Sequence, residues 1–272
     1  MIVNQVVRAR RALLDALVAL GAQKESVILV GAQAIYMHTG LAEIALAEFT
    51  TDGDLVIDSR TLVDDPLVED AMEAGGFNHD PLNSNPGVWL SPDRVQIDLI
   101  VPAAIAGRGR RSVDSPPHGQ RSMRKSYGLE AALVSNKSMK IVAFDSLDTR
   151  EFHAKVAGPA ALLVAKLHKL NERINERRVV DQKDAHDIYR LLVAIETETL
   201  IVEIRMLEGD PLSAEVTREA LGFLLDLFGS ARDPGSVMAG ATEVGVGNPT
   251  LVSESVALLA NDLASALRVL PS

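Results

Sequence analysis

The run Val27-Ile28-Leu29-Val30-Gly31-Ala32-Gln33, followed after a loop of small residues by Thr50-Thr51-Asp52-Gly53-Asp54-Leu55-Val56-Ile57, decides how this chain is read. The four apolar residues have the length of a buried strand. Gly31 then opens a turn into a short helix through Met37. Side chains of an extended segment alternate between two faces, so Asp52 and Asp54 leave their strand on the same side. Two acids on one face suit a hard divalent cation such as Mg2+ beside nucleotide phosphates. The pair therefore reads as a phosphoryl-transfer centre.

Outward from this core, apolar positions at helical spacing predict a helix over Val7 to Leu20, ending near Gly21. A further helix is expected from Pro66 to Ala74, stopped by Gly75-Gly76. Strands are expected at Val88 to Leu90 and Val95 to Val101, joined by the turn Ser91-Pro92-Asp93-Arg94. The segment from Gly107 to Ser126, rich in Gly, Arg, Ser and Pro, reads as an exposed, mobile loop. Strands are then expected around Ala131 to Val134, Lys140 to Ala143 and Phe152 to Val156. From Pro159 the pattern turns helical: Ala160 to Arg173, Asp184 to Ile195, Ser213 to Leu227 and Leu251 to Leu267, with a glycine-rich break over Gly235 to Gly247. The fold class expected is α+β, a mixed sheet with flanking helices over residues 1–157 and a helical domain over residues 158–272.

Composition sets the outer limits. The 272 residues, 47% of them hydrophobic, can bury a sizeable core. The absence of cysteine excludes disulfides and thiolate metal sites. Arg8, Arg10 and Arg11 precede an amphipathic pattern unlike a signal peptide, and no apolar run has membrane-spanning length, so a soluble cytoplasmic protein with no membrane partner is expected. The formal charge of −10 is unevenly spread, because from Glu196 onward 12 acids face 4 arginines and no lysine. The first 195 residues are thus nearly neutral and contain two basic stretches: Arg108, Arg110, Arg111, Arg121, Arg124 and Lys125, opposed by Asp114; and Lys166, Lys169, Arg173, Arg177 and Arg178. Local patches more than net charge attract phosphates; solvated faces are the alternative. With only 4% aromatic residues, recognition of RNA would rest on charge and not on base stacking.

A third acid, Asp98, sits among apolar neighbours in Val95-Gln96-Ile97-Asp98-Leu99-Ile100-Val101. A buried carboxylate needs a cation or hydrogen-bond donors, and a metal-facing position beside the Asp52/Asp54 strand meets that need. Pairing with Arg94 or water is the structural alternative.

The series Gly31-Ala32, Asp52-Gly53-Asp54 and Asp98 resembles the turn, acid-x-acid pair and later strand acid of the nucleotidyltransferase superfamily. Downstream, Lys166-Leu167-His168-Lys169-Leu170 and Lys183-Asp184-Ala185-His186-Asp187-Ile188-Tyr189-Arg190 are similar to the Lys-Leu-x-x-Leu and Arg-Asp-x-x-Asp-Leu-Tyr blocks of the AbiEii and MenT toxin-like nucleotidyltransferases. These motifs span Val27 to Leu192, about three-fifths of the chain. The resemblance implies a nucleotidyltransferase-like sheet domain and a helical domain that contributes Lys and Asp to the cleft. It implies a Mg2+-dependent enzyme, with Mn2+ as a substitute, that transfers NMP from an NTP to an RNA hydroxyl and releases pyrophosphate. The tRNA 3′ end would be the acceptor, and the protein would act as the toxin of a toxin–antitoxin system with a cognate antitoxin partner.

Carried over residue by residue, the resemblance assigns Asp52, Asp54 and Asp98 to the metal, with Asp98 also the base. Gly31, Ala32, Gln33 and Lys166 bind the nucleotide, and Asp184 and Asp187 orient Lys166 or the nucleotide. The basic segment Arg108, Arg110, Arg111, Arg121, Arg124 and Lys125 is the expected RNA surface. Gln33 stands where a second glycine or a serine is usual, leaving backbone amides for a phosphate, and Lys183 stands for arginine. Lys166 also fits a snorkelling lysine and Asp184 a helix cap. The adjacent His186-Asp187 raises a phosphohydrolase-type metal site, but His38, His79, His118, His153 and His168 lack ligand spacing. Two other functions fit the same residues: a nucleotidyltransferase acting on a small molecule or protein side chain, and a non-catalytic interaction module retaining the fold.

Overall fold

The computed structural model describes residues 2–40, 50–81, 85–108, 111–176, 182–245 and 247–269. The small-residue loop before Asp52, together with Arg110, Arg177 and Arg178, lies outside the described residues. The chain forms two compact units, Met1–Ala34 with Phe49–Ala157, and Ile35–Glu48 with Gly158–Ser272. The helical unit takes up the chain again at Gly158 and also takes in residues 35–40, which the sequence groups with the sheet.

In chain order the elements are α1 (Ile2–Ala19), β1 (Val27–Val30), α2 (Gly31–Thr39), β2 (Asp52–Ile57), α3 (Val68–Ala74), β3 (Asn78–His79), β4 (Val88–Leu90), β5 (Gln96–Pro102), β6 (Arg124–Ser126), α4 (Glu130–Val134), β7 (Asn136–Val142) and β8 (Glu151–Ala157). There follow α5 (Pro159–Asn175), α6 (Lys183–Ala194), α7 (Thr197–Gly209), α8 (Ala214–Phe228), α9 (Pro234–Ala241) and α10 (Pro249–Val269). The α+β class is as expected. The eight strands make one mixed sheet in the order β3-β4-β5-β2-β1-β8-β7, with β6 added on β5.

At the centre of the first unit, β1 is buried along its whole length, antiparallel to β2 and parallel to β8. A strand covered on both faces has no use for alternation, which is why it reads as an unbroken apolar run. β2 lies parallel to β5, whose burial is nearly continuous as well. α1 packs on β2, β5 and β8, and its buried Val6, Ala9, Leu13 and Ala16 recur every three or four residues.

One edge of β5 is taken by two partners in succession, β4 antiparallel at Gln96 to Asp98 and β6 parallel at Ile100 to Pro102. Gly87 fills the step between them: its N–H donates to the Arg121 carbonyl and its carbonyl accepts from the Leu99 N–H, both at 2.8 Å. Its φ is +72°, and a Cβ there would lie 2.4 Å from the Arg124 nitrogen, so only glycine fits. This junction corrects the expectation of a free loop over Gly107 to Ser126. The segment buries Val113, His118, Ser122 and Met123, the Ser122 carbonyl accepts from the Trp89 indole at 2.9 Å, and the Gly119 N–H donates to Glu69 at 2.7 Å. Residues 131–134, expected as a strand, lie in α4, an ambiguity inherent in short apolar runs.

In the second unit α5 begins with Pro159 at its first turn, where the Ala160 N–H donates to Glu203 of α7 at 3.1 Å. α5 packs against α6, α7 and α8, and α10 against α6, α7, α8 and α9. The helices α7 and α9 were not anticipated. α7 carries charges between its buried Leu200, Ile204 and Leu207, and α9 lies inside the glycine-rich stretch, where Gly235 and Gly240 let neighbouring groups approach closely. Among the described residues no helix is long and apolar enough to cross a membrane.

Candidate active site

The register of β2 on β5 sets Asp54 directly opposite Asp98, and Asp52 opposite Gln96. By strand parity all four side chains belong to one face of the sheet. Asp54 is half-buried, whereas Asp98 is only 8% exposed. Asp98 is held by two donors, Gln96 Nε2 on Oδ1 at 2.7 Å and Arg124 Nη2 on Oδ2 at 3.0 Å. Burial first and the neighbouring Asp54 charge second push the Asp98 carboxyl above the ordinary range, against the pull of Arg124 and Gln96. Arg94, the partner considered from sequence, instead faces Asp80 at 3.9 Å.

Gly31 lies against the Asp54 side chain. Its φ is +70°, and a Cβ there would come within 2.2 Å of Asp54 Oδ2, so the glycine gives the carboxylate its place. Gln33, expected to meet a phosphate, is 2% exposed and occupied within the core. Its Nε2 donates to the carbonyls of Asp52 at 2.9 Å and Ala9 at 3.3 Å, and its Oε1 accepts from Arg10 Nε at 2.9 Å. The side chain therefore braces the acid-bearing strand against α1. Any contact with an anion at this turn falls to backbone N–H groups.

Among the described residues no three His, Asp or Glu side chains are placed to hold one metal ion. The expected convergence of Asp52, Asp54 and Asp98 is thus reduced to the Asp54–Asp98 pair, while Asp52 Oδ1 accepts from the Thr50 hydroxyl at 3.1 Å. A two-carboxylate pair still fits Mg2+, which commonly takes one or two carboxylates and completes its octahedron with water and substrate phosphates.

The basic segment is less available than expected. Arg108, Arg111 and Arg121 are exposed, but Arg124 is ion-paired to Asp98 and Lys125 Nζ donates to the Gly107 carbonyl at 3.2 Å. Two other arginines, Arg8 and Arg94, line a recess of about 150 Å3 with Gln5, Thr51 and Val95, next to the start of β2.

In the second unit the lysine and the two acids form a closed cluster of their own. Lys166 Nζ, on α5, lies 2.7 Å from Asp184 Oδ1 and 2.7 Å from Asp187 Oδ2, both on α6. Arg173 reaches Asp184 Oδ2 at 2.5 Å and Lys169 reaches its Oδ1 at 3.7 Å. The three-residue spacing puts both acids on one helix face, and the spacing of Lys166, Lys169 and Arg173 does the same for the cations. Burial would raise the Asp184 carboxyl, but Lys166, Lys169 and Arg173 outweigh it and bring it to about 2. Burial likewise disfavours the Lys166 ammonium, yet Asp184 and Asp187 hold it well above the ordinary lysine range. Lys166 is not a snorkelling side chain, and Asp184 is not a cap.

His186 is buried, its Nε2 has no hydrogen-bond partner among the described residues, and burial together with the charge of Arg190 lowers its pKa despite Asp187. A desolvated neutral imidazole outside any ligand group does not support the phosphohydrolase-type site. Arg190 is itself buried, with Nε donating to Thr39 Oγ1 at 3.1 Å and its guanidinium 4.8 Å from the Tyr36 ring.

Sequence reasoning missed Arg124 as the partner of Asp98 and Arg10 as the partner of Gln33. Gln96 was findable, because a residue two before Asp98 shares its face. Compared with known proteins, the chain matches no family model, no curated protein and no solved structure.

Proposed function

We propose that the protein is a Mg2+-dependent nucleotidyltransferase of the AbiEii/MenT-like kind, transferring NMP from an NTP to an RNA hydroxyl, with the tRNA 3′ end as acceptor and toxicity held in check by an antitoxin. One observation carries the reading: Asp54 and Asp98 stand side by side on parallel neighbouring strands, with Asp54 against a glycine whose missing Cβ leaves room for its carboxylate. The order of glycine turn, acid pair and later strand acid is the one on which the resemblance rests.

In this reading Asp54 and Asp98 hold Mg2+, and the ion, when bound, neutralises triphosphate charge and favours attack at the α-phosphorus. Backbone N–H groups at the start of α2 face the phosphates. Asp98 accepts the proton of the acceptor hydroxyl. The new bond joins acceptor oxygen to α-phosphorus, the bond to the bridging oxygen of the β-phosphate breaks, and pyrophosphate leaves. Asp52 supports the strand and its neighbouring acid.

The test is incubation of the protein with each α-labelled NTP, Mg2+ and total tRNA, beside Asp54→Ala. Label in tRNA with wild type alone is expected. Transfer to cell protein or to a small molecule would move the acceptor to the second reading, and failure of wild type to bind any NTP in Mg2+ would leave a non-catalytic module.

A further inference from the structure

The Asp54–Asp98 pair already carries a cation of the protein's own. Two carboxylates directly opposite one another on neighbouring strands repel, and in the first unit that repulsion is relieved by the Arg124 guanidinium, 3.0 Å from Asp98 Oδ2. Arg124 comes from β6, which is paired to β5 one pleat beyond Asp98, at Ile100. Its backbone is fixed by Gly87 and by the β5–β6 register, but its side chain keeps 29% exposure. The guanidinium can therefore leave Asp98 by rotation of its own side chain, with the sheet unchanged.

Resting on the reading of Asp54 and Asp98 as metal ligands, we propose that Arg124 holds the place of the divalent cation on Asp98, so that metal loading displaces the guanidinium and frees it to meet the phosphates of the nucleotide. Asp98 Oδ1 accepts from Gln96 and Oδ2 from Arg124, so a metal ion reaching this carboxylate meets a positive guanidinium already on one of its oxygens and is repelled by it. Arg124 is the one that carries charge and has solvent to move into. Arginine suits the second role as well, because its planar fork matches phosphate oxygens in pairs. Arg124 thus couples metal occupancy to nucleotide binding.

The experiment measures Mn2+ binding to the full-length chain without nucleotide, by the loss of the free-ion electron paramagnetic signal, in wild type, Arg124→Gln and Asp54→Asn. Arg124→Gln is expected to bind Mn2+ about tenfold more tightly than wild type, and adding Asp54→Asn is expected to abolish that gain. A second measurement needs no variant: modification of Arg124 by phenylglyoxal, followed by peptide mass spectrometry, is expected to speed up several-fold when Mn2+ is added to wild type. Wild-type binding with Arg124→Gln equal or weaker, or an unchanged modification rate at saturating Mn2+, overturns the displacement while leaving the metal reading in place. No Mn2+ binding by either protein overturns both.

Discussion

Replacing Lys166 with methionine tests the ionic cluster of the second unit directly. Lys166 is 7% exposed, and its ammonium lies 2.7 Å from one oxygen of Asp184 and one of Asp187. At an effective dielectric constant of 20, each contact is worth roughly 6 kcal/mol of attraction before desolvation is subtracted. Methionine restores much of the volume but none of the charge. Asp184 retains Arg173 and Lys169, whereas Asp187 loses the partner it has in the structure. Breaking one side of a buried pair costs about 3–5 kcal/mol, mostly because the remaining charge stays desolvated. That figure is the expected loss in urea titrations of Lys166→Met, and hydrogen exchange should rise over residues 159–175 and 183–194. The double variant Lys166→Met/Asp187→Asn removes both charges, and should be about 1–3 kcal/mol less destabilised than the two single losses added together. A loss below about 1 kcal/mol for Lys166→Met, or strict additivity in the cycle, would refute a charge-paired Lys166.

Four further outcomes follow, two from the same cluster and two from the first unit. Asp184 is depressed from 3.8 to about 2, so its contribution of roughly 2 kcal/mol is complete above pH 4 and disappears as pH falls through 2; the stability gap between wild type and Asp184→Asn should narrow over that window, and a constant gap would contradict the assignment. Lys166 is raised, so its contribution is complete below pH 10.5 and is lost as pH rises from there through its folded value, and wild type should show no loss from this group in urea titrations between pH 8 and 10. Gly31→Ala forces a Cβ to within 2.2 Å of Asp54 Oδ2 at φ +70° and should lower stability by about 1–3 kcal/mol and displace the carboxylate, measured as a lower thermal midpoint and loss of Mn2+ affinity. Gln33→Leu leaves Arg10 Nε and the Asp52 carbonyl without these partners and should cost about 2–4 kcal/mol in urea titrations.

How far the sequence could be read depended on the range of each interaction. The strand Val27–Val30, the Asp52/Asp54 alternation, the Ser91 to Arg94 turn and the Lys166 and Asp184/Asp187 spacings were legible, because periods of two and 3.6 residues fix which side chains share a face. The same rule made Gln96 and Asp98 neighbours. The helices α7 and α9 were less legible, since the first carries charges between its apolar positions and the second uses glycines for close packing and not for a break. Residues 130–134 are too short for any period to separate helix from strand.

What the sequence determined by itself was therefore the α+β class, the boundary at Gly158 and the set of charged residues that share local faces. Only tertiary structure decided what those charges meet. The Asp54–Asp98 pairing depends on the parallel register of β2 on β5, and the capture of Asp98 by Arg124 on a strand added 26 residues later beyond Gly87. Gln33 turned inward because α1 brought Arg10 to it. Backbone periodicity is a local property of the chain, but a charge takes whichever partner the folded backbone brings within about 3 Å, and nothing in the spacing of residues along the chain encodes that distance.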